Sequence, residues 1–65
     1  MVVNGKEHAL TEEASSISKL IASLGLDPRT VAVELNGAIA PRIKWDDTIV
    51  ASDDRLEIIR FVGGG

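Results

Sequence analysis

Apolar side chains recur at helical spacing along one stretch of this chain, where Ile17, Leu20, Ile21 and Leu24 stand at i, i+3, i+4 and i+7. That stripe predicts one amphipathic helix, starting at Ser15 or Ser16, with Ala14 extending it by a turn. A serine at that point supplies an N-cap oxygen. At the far end Gly25 suits the left-handed position past a helix, Leu26 suits the apolar contact of a Schellman stop, and Asp27-Pro28 breaks the helix. A single stripe needs a single surface to cover it, and the remaining residues must build that surface.

They read as a sheet. Met1 to Val3 is a short strand, followed by Asn4-Gly5, a dipeptide that accepts positive φ at both central positions of a type I′ hairpin turn. The returning strand spans about Glu7 to Leu10, with an imperfect alternation that leaves its register open. Val31 to Leu35 is β-rich and ends at a second such turn, Asn36-Gly37, after which Ile39 opens a short strand stopped by Pro41. Trp45, Ile49 and Val50 are apolar anchors in a polar connection, and Ser52-Asp53-Asp54 has turn chemistry. The last strand is Arg55 to Val62, where a period of two aims Leu56 and Ile58 at the helix and Glu57 and Ile59 away from it. The order β, β, α, β, short β, β predicts an α+β fold, a mixed sheet of four to five strands packed on one helix.

Composition narrows the chemistry. A chain of 65 residues makes one domain and buries only about 60% of its unfolded surface. It has no cysteine, which excludes disulfides, thiolate zinc sites, thiol nucleophiles and iron–sulfur ligation by this chain. Seven Lys and Arg against ten Asp and Glu give a net charge of −3, which argues against nucleic acid and for a basic protein surface as partner. No apolar run approaches the roughly 20 residues that span a bilayer, and the N-terminus lacks the pattern of a signal peptide, so a soluble cytoplasmic protein without membrane contact is expected. No glycine-rich phosphate cradle is present, so any nucleotide belongs to a partner.

The unusual feature is the end. Residues 1–62 read as the folded domain and residues 63–65, Gly63-Gly64-Gly65, as a flexible tail carrying a free carboxylate. Glycine lets backbone thread a channel that any Cβ would obstruct. Three extended residues reach about 10 Å, far enough to bring the Gly65 carboxylate into another protein's active site. The same triplet also suits a frayed end or a cloning remnant, and it does not choose between these readings. Ile59 and Phe61, with Arg60 between them, are the candidate docking residues beside the tail, with covering by neighbouring loops as the alternative. His8 has Glu7 beside it but no nucleophile in a recognisable relation, and reads as a strand-surface residue. Asp46-Asp47 and Asp53-Asp54 match no calcium loop, so no metal site is expected. Trp45 reads as a packing residue.

Several of these residues together resemble a known family. Leu35-Asn36-Gly37, then Pro41-Arg42, then Trp45, an acidic turn, Leu56-Glu57-Ile58-Ile59 and a glycine terminus are similar to the thiamine-biosynthesis sulfur carriers, the ThiS family of ubiquitin-like β-grasp proteins, over nearly the whole chain. The glycine end alone is shared with ubiquitin, ubiquitin-related modifiers and the molybdopterin synthase small subunit. The Asn-Gly, Pro-Arg and Trp pattern and the compact length narrow it. Two departures stand out: Ser52-Asp53-Asp54 where the family often has Asp-Gly-Asp, and Gly63 ahead of the usual pair. The resemblance implies a cosubstrate with no catalytic residues and no cofactor of its own. An E1-like adenylating enzyme holding ATP and magnesium would draw in Gly64-Gly65 and form an acyl adenylate on Gly65. A persulfide source would convert it to a thiocarboxylate, and thiazole synthase would take the sulfur. Sulfur transfer to molybdopterin or another metabolite, and conjugation of Gly65 to lysines as a modifier, are the alternatives.

Overall fold

A computed structural model of the chain describes residues 1–61. Its elements run β1 (Val2–Val3), β2 (Lys6–Glu7), α1 (Ile17–Ser23), β3 (Val31–Leu35), β4 (Ala38–Ile39) and β5 (Arg55–Arg60), with 3-10 turns at Glu12–Ala14, Pro28–Thr30 and Arg42–Lys44. The five strands form one mixed sheet in the order β2-β1-β5-β3-β4, in which β1 and β5 are parallel and the other pairs antiparallel. The last strand is therefore the middle of the sheet. No helix among the described residues is long and apolar enough to cross a membrane.

Both hairpins turn as their sequences predict. Asn4 and Gly5 have φ of 51° and 81°, and Asn36 and Gly37 have 51° and 87°, left-handed backbone that asparagine and glycine adopt at least cost. The returning strand β2 is Lys6–Glu7 and not the expected Glu7 to Leu10: it starts directly after the turn and pairs with β1 over only two residues. β5 ends at Arg60, short of the expected Val62. The expected boundary between residues 62 and 63, and with it Gly63, Gly64 and Gly65, lies outside the described residues.

Ser16 caps α1, its Oγ accepting from the Lys19 N–H at 3.1 Å. The next two N–H groups go to the long connection: Ile17 donates to the Thr48 carbonyl at 3.1 Å and Ser18 to the Trp45 carbonyl at 3.3 Å. Gly25, at φ +72°, donates to Ala22, and Leu26 donates to Ile21, the paired bonds of a Schellman stop. The helix is nevertheless shorter than its stripe. Leu24 is its C-cap and 37% exposed, and Ala14, itself buried, belongs to a separate 3-10 turn.

The core gathers Ile17, Leu20 and Ile21 of the helix against Val3, Val31, Val33 and Leu56 of the sheet, with Leu35 and Ile58 packed on its edge. Each fully buried aliphatic side chain contributes about 1.5–3 kcal/mol before entropy is counted. Trp45 and Val50 join this core as expected, but Ile49 is 69% exposed. Ile49 is held by its backbone instead, in an isolated bridge to Ser16. Adjacent residues of an extended segment point to opposite sides, so only one of Ile49 and Val50 can turn inward.

Candidate functional site

The site under consideration is the last strand, the face it turns away from the helix, and its exit toward the C-terminus. Alternation along β5 holds as the sequence predicts: Leu56 is 2% exposed and Ile58 packs on the core, whereas Ile59 is 44% exposed. Directly opposed residues share a face, so Ala32 stands beside Ile59, Glu34 beside Glu57, Ile39 beside Glu34, and Val2 beside Arg55 on the side without the helix. Phe61 is 54% exposed and lies one residue past the strand. Arg60 is exposed too, but it pairs with buried Val31 and so lies at the rim of the helix side. The three candidate docking residues thus divide, with Ile59 on the open face and Arg60 across the sheet from it.

The exit of β5 is buttressed. Pairing with β3 runs to Val31 opposite Arg60, and the Phe61 N–H extends it by donating to the Thr30 carbonyl at 2.9 Å. Arg42 donates from its guanidinium to the Val31 carbonyl at 2.9 Å and lies over the Trp45 ring, 5.4 Å from its centroid. The buried Trp45 Nε1 in turn donates to the Ala40 carbonyl at 2.9 Å. The Pro41-Arg42 and Trp45 pattern therefore does structural work: it ties the connection after β4 to the head of β3, the segment from which β5 departs.

Both turn asparagines also serve β5, Asn4 in the middle of the strand and Asn36 at its first residue. The Ile58 N–H donates to Asn4 Oδ1 at 2.7 Å, and Asn4 Nδ2 donates to the Ile58 carbonyl at 3.4 Å. This side chain stands where a longer β1 would have placed a backbone amide. The Arg55 N–H donates to Asn36 Oδ1 at 2.9 Å, while Asn36 Nδ2 donates to Asp54 Oδ1 at 3.0 Å. That bond, with the Ala51 N–H on Asp54 Oδ2 at 2.8 Å, holds the Asp54 carboxyl below the usual carboxylate range. Sequence reasoning identified both dipeptides as turns but not as clamps. The signal was present in their spacing to β5, yet it needs the strand order to be read.

The other candidates lie apart. His8 is half-buried and its backbone pairs with Met1, the His8 N–H donating to the Met1 carbonyl at 2.8 Å. Asp46 accepts from the Ser18 hydroxyl, and Asp53 is exposed in its turn. Among the described residues no group of three or more His, Cys, Asp or Glu is placed to hold a metal ion. A depression of about 240 Å³ opens beside β5 between Val2, Glu34, Gly37, Arg55 and Glu57. A larger, shallower one of about 710 Å³ lies over the helix among Glu12, Lys19, Ala22 and Ser23, away from the exit of β5.

Comparison with known proteins agrees with this architecture. The ThiS family model matches residues 1–65. The sulfur carrier protein ThiS of Bacillus subtilis is 33% identical over 63 residues, covering 97% of this chain and 96% of that protein. A thiazole synthase of Paramagnetospirillum magneticum is 38% identical over 65 residues, 100% of this chain but 20% of that protein. The chain thus spans about a fifth of the length of the thiazole synthases it matches. Among solved structures, the crystal structure of the thiamine biosynthesis protein ThiS from Geobacter metallireducens superposes with a TM-score of 0.81 at 35% identity, covering 98% of this chain and 96% of that one. With a superposition that covers 98% of the chain and a family model that matches residues 1–65, the chain belongs to the ThiS family.

Proposed function

We propose that this chain is a sulfur carrier of thiamine biosynthesis, a cosubstrate whose reacting atom is the carboxyl carbon of Gly65. A carboxylate is a poor acyl electrophile. An E1-like enzyme with its own ATP and magnesium makes it a good one: a Gly65 oxygen attacks the α-phosphorus, pyrophosphate leaves, and an acyl adenylate remains. The terminal sulfur of a persulfide then attacks the carboxyl carbon and AMP departs. A further thiol attacks the donor's own sulfur in the resulting acyl disulfide, forms a disulfide with it, and expels the thiocarboxylate on Gly65. That thiocarboxylate is a soft nucleophile at neutral pH, suited to deliver sulfur to thiazole synthase during thiazole formation. ATP and reduced thiols place this chemistry in the cytoplasm.

In this reading Gly63 and Gly64 are the thread. Without Cβ atoms they fit a narrow channel, and ordering them costs roughly 1–2 kcal/mol per residue, which partner contacts must offset. Ile59 and Phe61 dock on the activating enzyme, with Arg60 at the rim. The observation that carries the reading is the match to a protein named as a sulfur carrier over 97% of this chain, together with a family model that spans residues 1–65. Relatives named thiazole synthase favour thiazole formation over other sulfur-transfer routes.

Intact-mass spectrometry tests it. The untagged protein, incubated with ATP, magnesium, the adenylating enzyme of the same organism and a persulfide source, gains the mass difference between sulfur and oxygen. Deletion of Gly65 abolishes that gain. An unchanged mass overturns the carrier assignment, and heavier conjugates to other proteins replace it with that of a modifier.

A further inference from the structure

The edge of β3 carries one carbonyl that its neighbour strand never reaches. Ala40 donates its N–H to the Val33 carbonyl at 2.8 Å, and the β3–β4 register, Glu34 opposite Ile39 and Leu35 opposite Ala38, would set Arg42 opposite Val31 two residues further on. Bonded pairs of an antiparallel ladder recur at every second residue, so a longer β4 would bring the Arg42 amide to the Val31 carbonyl. By that point β4 has ended, and Arg42 opens the 3-10 turn Arg42–Lys44. Its guanidinium reaches back and donates to the same carbonyl at 2.9 Å. A side chain supplies the rung that the backbone has left.

That rung lies where the last strand leaves the sheet. Val31 is opposite Arg60, and the Thr30 carbonyl just before it accepts the Phe61 N–H at 2.9 Å, the outermost bond from this strand to its neighbour among the described residues. Thr30 is held from behind, its N–H and its hydroxyl both donating to the Asp27 carbonyl, at 3.0 Å and 2.8 Å. Val31 is held from the side, because Arg42 lies over the Trp45 ring and the buried Trp45 is itself fixed by its bond to the Ala40 carbonyl. Stability alone does not ask for the second brace. Arg42 is exposed, and water would serve an edge carbonyl there, whereas an arginine held in one place gives up much rotamer freedom.

We infer that Arg42 is a positioning residue for the reaction at Gly65: by fixing Thr30 and Val31 it fixes the place and direction in which β5 hands the chain to the activating enzyme. The inference rests on the carrier reading above. A reaction between bound groups runs in proportion to the share of complexes that hold the reacting atoms in place. Loosening the exit of β5 lowers that share, while the contact made by Ile59 further back on the strand persists. Lysine is a partial substitute, since its ammonium can reach a carbonyl but has no planar group to lie on the indole.

The test compares the full-length wild type with R42M, R42K and K44Q in carrier-dependent pyrophosphate release by the adenylating enzyme of the same organism. Dissociation constants, thermal melts and amide exchange at Phe61 are measured on the same proteins. R42M lowers kcat per folded molecule about tenfold, keeps its dissociation constant within about twofold of wild type, and speeds exchange at Phe61. R42K falls short of the wild-type kcat by only about threefold, and K44Q, which removes a charge from the same turn, changes neither quantity. Salt leaves the R42M defect as it is, since no long-range attraction is involved. A wild-type kcat in folded R42M overturns the inference, as do unaltered exchange at Phe61 and a lysine that recovers nothing. A loss that falls on the dissociation constant, fades with salt and recurs in K44Q also overturns it, because Arg42 is then a docking charge. Where R42M melts below the assay temperature, R42K decides: a lower kcat with faster exchange at Phe61 and unchanged affinity supports the inference, and wild-type values overturn it. A wild-type carrier that releases pyrophosphate no better than R42M and R42K removes the positioning role and leaves the carrier reading intact; a wild-type carrier that releases none removes both.

Discussion

The two faces of β5 differ by one residue of phase and are held to opposite requirements. Leu56 and Ile58 close the core, while Glu57 and Ile59, alternating with them, face away from the helix. A chain of this size has apolar surface for one core, so a second face of the sheet escapes the demand for dense packing. It can then hold groups that a core would reject, including two glutamates side by side. The sharpest way to break this contrast is Leu56→Ala. Removing that buried side chain costs about 2–5 kcal/mol, a large share of the roughly 3–10 kcal/mol expected for a domain this small. Urea denaturation should show a protein close to unfolded at room temperature, and a loss below about 1 kcal/mol would mean that the core closes without β5.

A second prediction concerns the clamp on the middle of the strand. Asn4 holds a left-handed φ of 51° and also bonds both polar backbone groups of Ile58. Asn4→Ala loses the bonds and strains the backbone, for about 1–3 kcal/mol together. Asn4→Gly loses only the bonds and should recover roughly half of that. Equal costs for both variants in thermal melts would assign the whole effect to the side-chain clamp; no cost for glycine would assign it to the turn.

Asp54 gives a smaller effect with a definite pH signature. Hydrogen bonds from Asn36 and the Ala51 N–H lower its pKa in the folded state, so its contribution is full above the unfolded value near 4 and is lost as pH falls through the lower folded value. Asp54→Asn should cost about 0.5–1.5 kcal/mol at neutral pH. The gap between variant and wild type should narrow in urea titrations below about pH 4. A gap that stays constant with pH would show that charge has no part in anchoring β5 to the second turn.

Much of this was readable before any coordinates, for reasons that are local. The helix with its Ser16 cap and Gly25 stop, both Asn-Gly turns, β3 and the phase of β5 each follow from residues within one turn or one pleat. What escaped depends on neighbours distant in sequence. Leu24 fits the stripe but has no sheet beneath it, because the Schellman stop reverses the chain there. Ile49 and Val50 look equivalent until the bridge to Ser16 fixes which one turns inward. The acid pair needed the β3–β5 register, and the structural role of Arg42 needed the approach of its loop to Val31. The tail is the reverse case: residues 62–65 lie outside the described residues, and the chemistry proposed for it rests on sequence, on the three glycines and the family they resemble.

The last prediction separates the faces by setting stability against recognition at one residue. Ile59→Thr keeps the β-branch that suits a central strand and removes apolar surface from a side chain already 44% exposed, so the free protein should lose no more than about 0.5 kcal/mol. If the open face is where the activating enzyme docks, the same change removes part of an apolar contact that becomes dry on binding, and affinity should fall by more than about 1 kcal/mol, several-fold in dissociation constant. Calorimetry of the free carrier and titration against the adenylating enzyme read the two quantities independently. Equal small losses in both would make Ile59 an ordinary exposed strand residue and shift the docking contact toward Phe61 and the rim at Arg60. A stability loss as large as that of Leu56→Ala would mean that the second face carries packing weight after all, and the freedom to hold Glu34 against Glu57 would need another source.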